Sequence, residues 1–162
     1  MTDDRLTLTP FTDGDMPTMK RWLSKERVLR WYTEPGEWIR ELEERDGEFS
    51  FVRHFIARLG GRPVGFGQYY ACADAGEADY AAYPAAGTYS IDYMIGEDDC
   101  VGRGLGAALV GALVAAVFAL PDAMLIAVKP DDGNAASRAC LTSNGFSYDE
   151  STGAHRLYRA AR

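Results

Sequence analysis

Three glycines, Gly102, Gly104 and Gly106, alternate at the mouth of the stretch "VGRGLGAALVGALVAAVFAL". Glycine costs a helix about 1 kcal/mol relative to alanine, so three at the start of one ask for a reason. Bare N–H groups at a helix N-terminus, with about half a positive charge behind them, hold an anion. Without Cβ atoms a diphosphate can approach the main chain closely, and Arg103 adds a mobile cation. Tight packing of the segment is the alternative use of the same glycines. Two other phosphate loops are excluded. A P-loop needs Lys and Ser or Thr after its last glycine, where Ala107 and Ala108 stand. A dinucleotide loop needs G-x-G-x-x-G opening a βαβ unit, whereas this segment reads G-x-G-x-G and comes late, after a hairpin. A second candidate is Asp92 in "TYSIDYMIG". A carboxylate between Ile91 and Tyr93 on a strand is costly to bury unpaired, so it is either a structural group bonded to backbone or part of a site.

The elements that must position these residues follow from periodicity. "RLTLTPF" alternates as a first strand, and "GDMPTMKRWLS" carries helical spacing with Asp13 able to cap it. Thr33 and Pro35 open a second amphipathic helix, "EPGEWIRELEERD", whose Arg40, Glu41, Glu43, Glu44 and Arg45 read as a solvated face. "FSFVRHFIARLGGRPVGFGQYY" is a hairpin around Gly60-Gly61. Residues 71–87 are a long, alanine-rich, acidic excursion. After it come "TYSIDYMIG", the glycine loop and its helix, the buried strand "AMLIAVKP", a helix from Asn134 to Gly145, and two closing strands, "FSYDE" and "HRLYRA". The expected order is β-α-α-β-β-β-α-β-α-β-β.

Bulk properties narrow the function classes. With 162 residues and no linker or repeat, the chain reads as one domain, residues 1–162. A net charge of −7 argues against nucleic acid and suits a cationic partner. Three cysteines without a C-x-x-C read as free thiols in a reducing cytoplasm, with no metal site. The longest apolar run, Leu105 to Leu120, is too short for a membrane span, and the acidic N-terminus is no signal peptide. His54 reads as a packed strand residue, His155 as exposed, Cys140 as a small packed hydrophobe, and Trp22, Trp31 and Trp38 as core.

"VGRGLGAALV" resembles the coenzyme A pyrophosphate loop, Q/R-x-x-G-x-G/A, of the GCN5-related N-acetyltransferases (GNAT), with Gly104 and Gly106 in the glycine positions and Val101 where Gln or Arg is common. "GNAASRACLTSNGF" resembles that family's later helix, through Asn134, Gly145 and Phe146. The resemblance implies a mixed α/β (α+β) GNAT fold. Its central, mostly antiparallel sheet would have a V-shaped splay between the fourth and fifth strands and about four flanking helices. It implies acetyl-CoA as cofactor, held by Val101, Gly102, Arg103, Gly104, Leu105, Gly106 and Asn134, with amides near Met94 and Ile95 beside the thioester carbonyl.

"MKRWLSKERVLRWY" and "GRPVGFGQYY" resemble the aminoglycoside 6'-N-acetyltransferase branch. That resemblance implies Asp92 as the catalytic carboxylate and Trp31, Tyr32, Gln68, Tyr70, Glu77 and Asp92 as the substrate groove, with Asp74, Glu77 and Asp79 on an acidic flap. Such chemistry suits a carboxylate. A primary amine, with a pKa near 10.4, arrives protonated. A placed base that attracts the ammonium and takes its proton is worth roughly 10²–10⁴ in rate. Leu141 occupies the position where the family's thiolate-protonating Tyr stands, so Ser137, one turn earlier, or water takes that role. Lys129 stands where the branch has an acidic ligand.

The expected activity is therefore direct acetyl transfer from acetyl-CoA to a primary amine, first the 6'-amine of an aminoglycoside, by a monomer or homodimer. "NAASRACL" also resembles the helix of ribosomal-protein N-terminal acetyltransferases, so a protein N-terminus or a polyamine is a second acceptor class. A non-catalytic acyl-CoA-binding module is a rival of another kind.

Overall fold

The computed structural model describes residues 5–76 and 78–160. A seven-stranded sheet runs through it in the order β1-β2-β3-β4-β5-β7-β6. Every neighbouring pair is antiparallel except β4 with β5. Strands β1 (Leu6–Pro10), β2 (Val52–Leu59), β3 (Arg62–Ala71) and β4 (Thr88–Ile95) form one side, and β5 (Leu125–Val128), β6 (Ser147–Asp149) and β7 (Ala154–Tyr158) the other. Gly60 and Gly61 both adopt positive φ, 57° and 84°, the backbone that a two-residue turn needs to match the twist of β2 and β3.

Helices α1 (Met16–Leu23), α2 (Glu26–Leu29) and α3 (Pro35–Glu43) cover one face; a single turn, α4 (Cys72–Ala75), follows β3; α5 (Leu105–Phe118) and α6 (Ala135–Ser143) cover the opposite face. Four of these, α1, α3, α5 and α6, have eight residues or more. Residue alternation on β3 and β4 builds both layers. Phe66 and Met94 join Trp22, Leu23 and Leu42 under α1 and α3, while Ile91 joins Leu109, Leu113 and Leu141 under α5 and α6. Gly67 lies over α5: a Cβ there would stand 3.0 Å from Leu113 Cδ1, so its absence lets the helix approach the sheet.

Several local expectations are corrected. Asp15, rather than Asp13, closes the first helical turn, its Oδ2 accepting from the Thr12 amide at 2.9 Å. The one-turn α2 has too few residues to show a period. His155 is buried, because β7 pairs with both β5 and β6 and sets the imidazole 5.3 Å from the Tyr148 ring, tilted at 52°. Burial, with Arg138 nearby, lowers its pKa. Glu41 leaves the solvated face and turns inward to meet the buried His54 Nε2 at 2.8 Å. The excursion after β3 is anchored: Cys72, Tyr80 and Tyr83 pack with Leu125, Ala127 and Ala154.

Tyr83 Oη also donates to Asp149 Oδ2 at 2.8 Å, tying that excursion to the β6–β7 hairpin. The Asp149 carboxyl is held at about 2, below its ordinary 3.8, first by the Ser151 hydroxyl, then by Tyr83, with Arg156 adding attraction. A depressed carboxyl stabilises the fold above its unfolded pKa and loses that contribution as pH falls through the folded one. Asp149→Asn is thus expected to melt below the unsubstituted protein at pH 7. The gap should close between about pH 4 and pH 2, followed as melting temperature against pH.

Candidate active site

β4 and β5 pair only at Thr88–Leu125 and Tyr89–Ile126, and beyond them the strands diverge. A cleft of about 950 Å³ opens in this splay, walled by the second half of β4, the end of β5, the glycine loop and the start of α6. Register decides which backbone groups face it. The Gly96 amide donates to Val64 O at 2.8 Å, so the alternation of an antiparallel ladder turns the even-numbered amides of β4 toward β3. The odd-numbered ones, Tyr93 and Ile95, face the splay. Met94 borders the cleft, while its amide belongs to β3, which corrects the expected role of that amide.

The glycine loop divides into two jobs. Gly102 and Gly104 have φ of 77° and 76°, and a Cβ at either would meet open space, so both are required by conformation and both expose backbone. Gly106 serves packing: a Cβ there would stand 3.0 Å from Cys140 Sγ on α6. The first helical bond of α5 runs from the Ala108 amide to Gly104 O, leaving the amides before it to point outward at the helix's positive end. Val101, Leu105 and Asn134 line the same cleft, with Asn134 Oδ1 capping α6 by accepting from the Ser137 amide at 3.2 Å. Arg103 is exposed beside it.

The acidic run Glu97-Asp98-Asp99 immediately precedes this loop and would oppose an anion if left bare. Each member is paired: Arg21 to Glu97 at 2.8 Å, Lys25 to Asp98 at 2.9 Å and Arg62 to Asp99 at 2.9 Å. Those partners hold all three carboxyls below their usual range. Arg27 also reaches Asp98 and donates to Ile95 O at 2.8 Å and Gly96 O at 3.1 Å. It lines the cleft, and nothing in the sequence flagged it, because its role depends on a contact 68 residues away.

A smaller cavity of about 380 Å³ adjoins the cleft on the α3 face. Gln68 and Tyr70 line it, together with Glu41, Asp79 and aromatic rings of Trp38, Phe49 and Phe51. Asp92 lines both spaces and stands at their junction. Gln68 Nε2 donates to Asp92 Oδ2 at 2.8 Å and fixes the carboxylate; Gln68 Oε1 is buried without a hydrogen-bond partner among the described residues. Trp31 and Tyr32, expected in the substrate groove, line the larger cleft together with Trp38 and Asp92. Tyr32 Oη donates to Tyr93 O at 2.6 Å, and its ring meets Trp38 edge-on at 4.9 Å, so it braces α3 against β4. Lys129 sits at the junction, 3.7 Å from Asp79. Glu77 lies outside the described residues. Ser137 lines the cleft, and Leu141 is fully buried beneath it.

A strand pair parted beside an anion-ready helix N-terminus, with one carboxylate where two cavities meet, is the frame of an acyl-transfer enzyme. The family model for the acetyltransferase (GNAT) domain matches residues 12–152, and the chain belongs to that family. A curated relative, aminoglycoside N(6')-acetyltransferase type 1 of Klebsiella pneumoniae, is 26% identical over 150 residues, covering 89% of this chain and 75% of the relative. A crystal structure of aminoglycoside acetyltransferase AAC(6')-Ib with coenzyme A and kanamycin superposes with a TM-score of 0.82 at 24% identity, covering 95% of each chain. The ribosomal L7/L12 alpha-N-protein acetyltransferase RimL superposes with a TM-score of 0.70 at 12% identity, covering 99% of this chain and 94% of that one. These likenesses bear out the expected fold, and the structure adds that the two strands at its splay, β4 and β5, pair in parallel. Among the described residues no cluster of His, Cys, Asp or Glu could hold a metal ion, and no helix is long and apolar enough to cross a membrane.

Proposed function

We propose that the protein transfers the acetyl group of acetyl-CoA directly to a primary amine, and that this acceptor is the 6'-amine of an aminoglycoside. One observation carries the reading: the Asp92 carboxylate lies where the cleft and the acidic, aromatic cavity meet. The residues fit the cofactor. The open glycine backbone and first amides of α5 suit a pyrophosphate, and the stretch of the β4 edge that β5 leaves uncovered, with the Tyr93 and Ile95 amides facing the cleft, suits an extended amide-bearing arm, much as a sheet edge takes a strand. When bound, acetyl-CoA supplies the activated acyl carbon. Asp92 draws the ammonium inward and takes its proton, and Gln68 keeps the carboxylate aimed. Glu41 adds negative charge to the same cavity, where Asp79 is met by Lys129, and the 26% identity to an aminoglycoside enzyme favours that acceptor.

Thiol release from acetyl-CoA with kanamycin-type aminoglycosides is the test, and no turnover at high enzyme concentration would remove the aminoglycoside reading. A second acceptor class, a protein N-terminus, is favoured by Lys129, whose charge at the junction opposes an extra ammonium group. Turnover of peptides with no turnover of aminoglycosides would select it.

The loop reading has its own check. Gly104→Ala forces an alanine into φ near 76°, at a cost of about 1–2 kcal/mol. Acetyl-CoA affinity, measured by titration calorimetry, is expected to fall about tenfold or more. The melting temperature should drop by only a few degrees.

A further inference from the structure

Asp92 and Tyr93 are consecutive on β4 and so project to opposite faces of the sheet. Asp92 stands on the α3 face with Gln68; Tyr93 stands on the α6 face, where its Oη lies 2.6 Å from Ser137 Oγ. Both residues line the cleft. A thioester held across the parted strand edge would have its acyl carbon within reach of Asp92 on one face and its sulfur toward Tyr93 on the other. The fully buried Leu141 brings no proton to that second face. We propose that Tyr93 is a catalytic residue, protonating the departing sulfur, with Ser137 as its hydrogen-bonded relay.

The inference rests on acetyl-CoA occupying the cleft. As the new N–C bond forms and the C–S bond breaks, Tyr93 gives its phenolic proton to the electron pair left on sulfur. Ser137 Oγ then restores that proton, drawing one in turn from cleft water. The amine nitrogen loses two protons overall. One leaves through Asp92, and the other balances the proton delivered to sulfur, so one net proton is released. Tyr93 carries its proton at neutral pH as any phenol does; burial raises its pKa and so makes it a weaker acid, and it is the 2.6 Å contact with Ser137 Oγ at the cleft wall that marks it for the role. The groups around it are Cys140 and Ser137 from α6, Asp92 on its own strand, Tyr80 from the excursion and Tyr32, which binds its carbonyl. Among them Cys140 is also pushed up by burial.

The test compares Tyr93→Phe and Ser137→Ala with the unsubstituted enzyme, using acetyl-CoA and a turned-over amine, and separately free coenzyme A. A thiolate is a fair leaving group unaided, so kcat in Tyr93→Phe is expected to fall about tenfold, below the usual range for acid catalysis, with the amine KM unchanged. Ser137→Ala should show a smaller fall of the same kind. With bound coenzyme A, losing a donor to the thiolate should move the onset of ultraviolet thiolate absorbance up by about one pH unit in Tyr93→Phe. Unchanged kcat and thiolate titration in both variants, with coenzyme A still bound, would overturn the assignment. Failure of the unsubstituted enzyme to bind coenzyme A would overturn the cofactor reading as well, which separates the two failures. Should Tyr93→Phe not fold, Ser137→Ala decides through the same titration.

Discussion

Asp92→Asn is expected to lower kcat for amine acetylation by about 10²–10⁴. The substitution keeps the shape and a hydrogen-bonding oxygen, but removes the charge that draws in an ammonium and the basicity that takes its proton. Gln68 Nε2, now 2.8 Å from Oδ2, can still donate to an amide oxygen, so the local geometry survives. Two readouts separate chemistry from folding. Acetyl-CoA affinity should be unchanged, because the glycine loop and α5 lie elsewhere, and the rate loss should shrink as pH rises toward the amine's own pKa of about 10.4. Full activity of the Asp92→Asn enzyme near neutral pH would leave Asp92 a structural group and leave the acetyl transfer without a base on the acceptor side.

The largest loss of stability is expected at Gly96. A Cβ built there falls on the Trp22 indole, within overlap distance of Cδ2, Cε2 and Cγ. The ring cannot step aside: it is fully buried among Met19, Leu23 and Phe66, and its Nε1 donates to Glu97 Oε1 at 3.1 Å. The strand cannot yield easily either, since the Gly96 amide is bonded to Val64 O and its carbonyl to Arg27. Gly96→Ala is therefore expected to cost about 3 kcal/mol, the upper part of the range for overpacked cores. For a domain of this size that lowers the melting temperature by about 6–12 °C, readable by scanning calorimetry. An unchanged melting temperature would show that α1 does not dock on the end of β4 as described.

Much of the architecture is legible in the residues because the signals are local. The Gly60-Gly61 turn, the glycine-to-helix boundary at Gly104 and the Asn134 cap are short-range features, and all three lie where spacing places them. The loop's resemblance likewise marks the cleft. What sequence does not carry is register and inward rotation. Glu41 looks like its neighbours Glu43 and Glu44, and only the packing of α3 on β2 turns it toward His54. Met94 and Ile95 differ by one residue, yet the ladder with β3 gives one amide to the sheet and the other to the splay. The three glycines of the loop look equivalent, and their division needs both backbone angles and the position of Cys140. Arg27 and Tyr32 act through partners more than sixty residues away, beyond any spacing rule.

The seam between β4 and β5 is two residue pairs long, and separate core layers pack on the two faces of the sheet beside it. On the proposed function, the groups that read the acceptor hang from α3, β2 and β3, while the apparatus for the common donor is held by the glycine loop, α5 and α6. Residues 92 and 93 are the hand-over point between those layers. On that reading, substitutions confined to the α3 face would retune which amine is accepted while the donor apparatus stays intact, so new specificities would be open to this scaffold by drift on one side of the sheet.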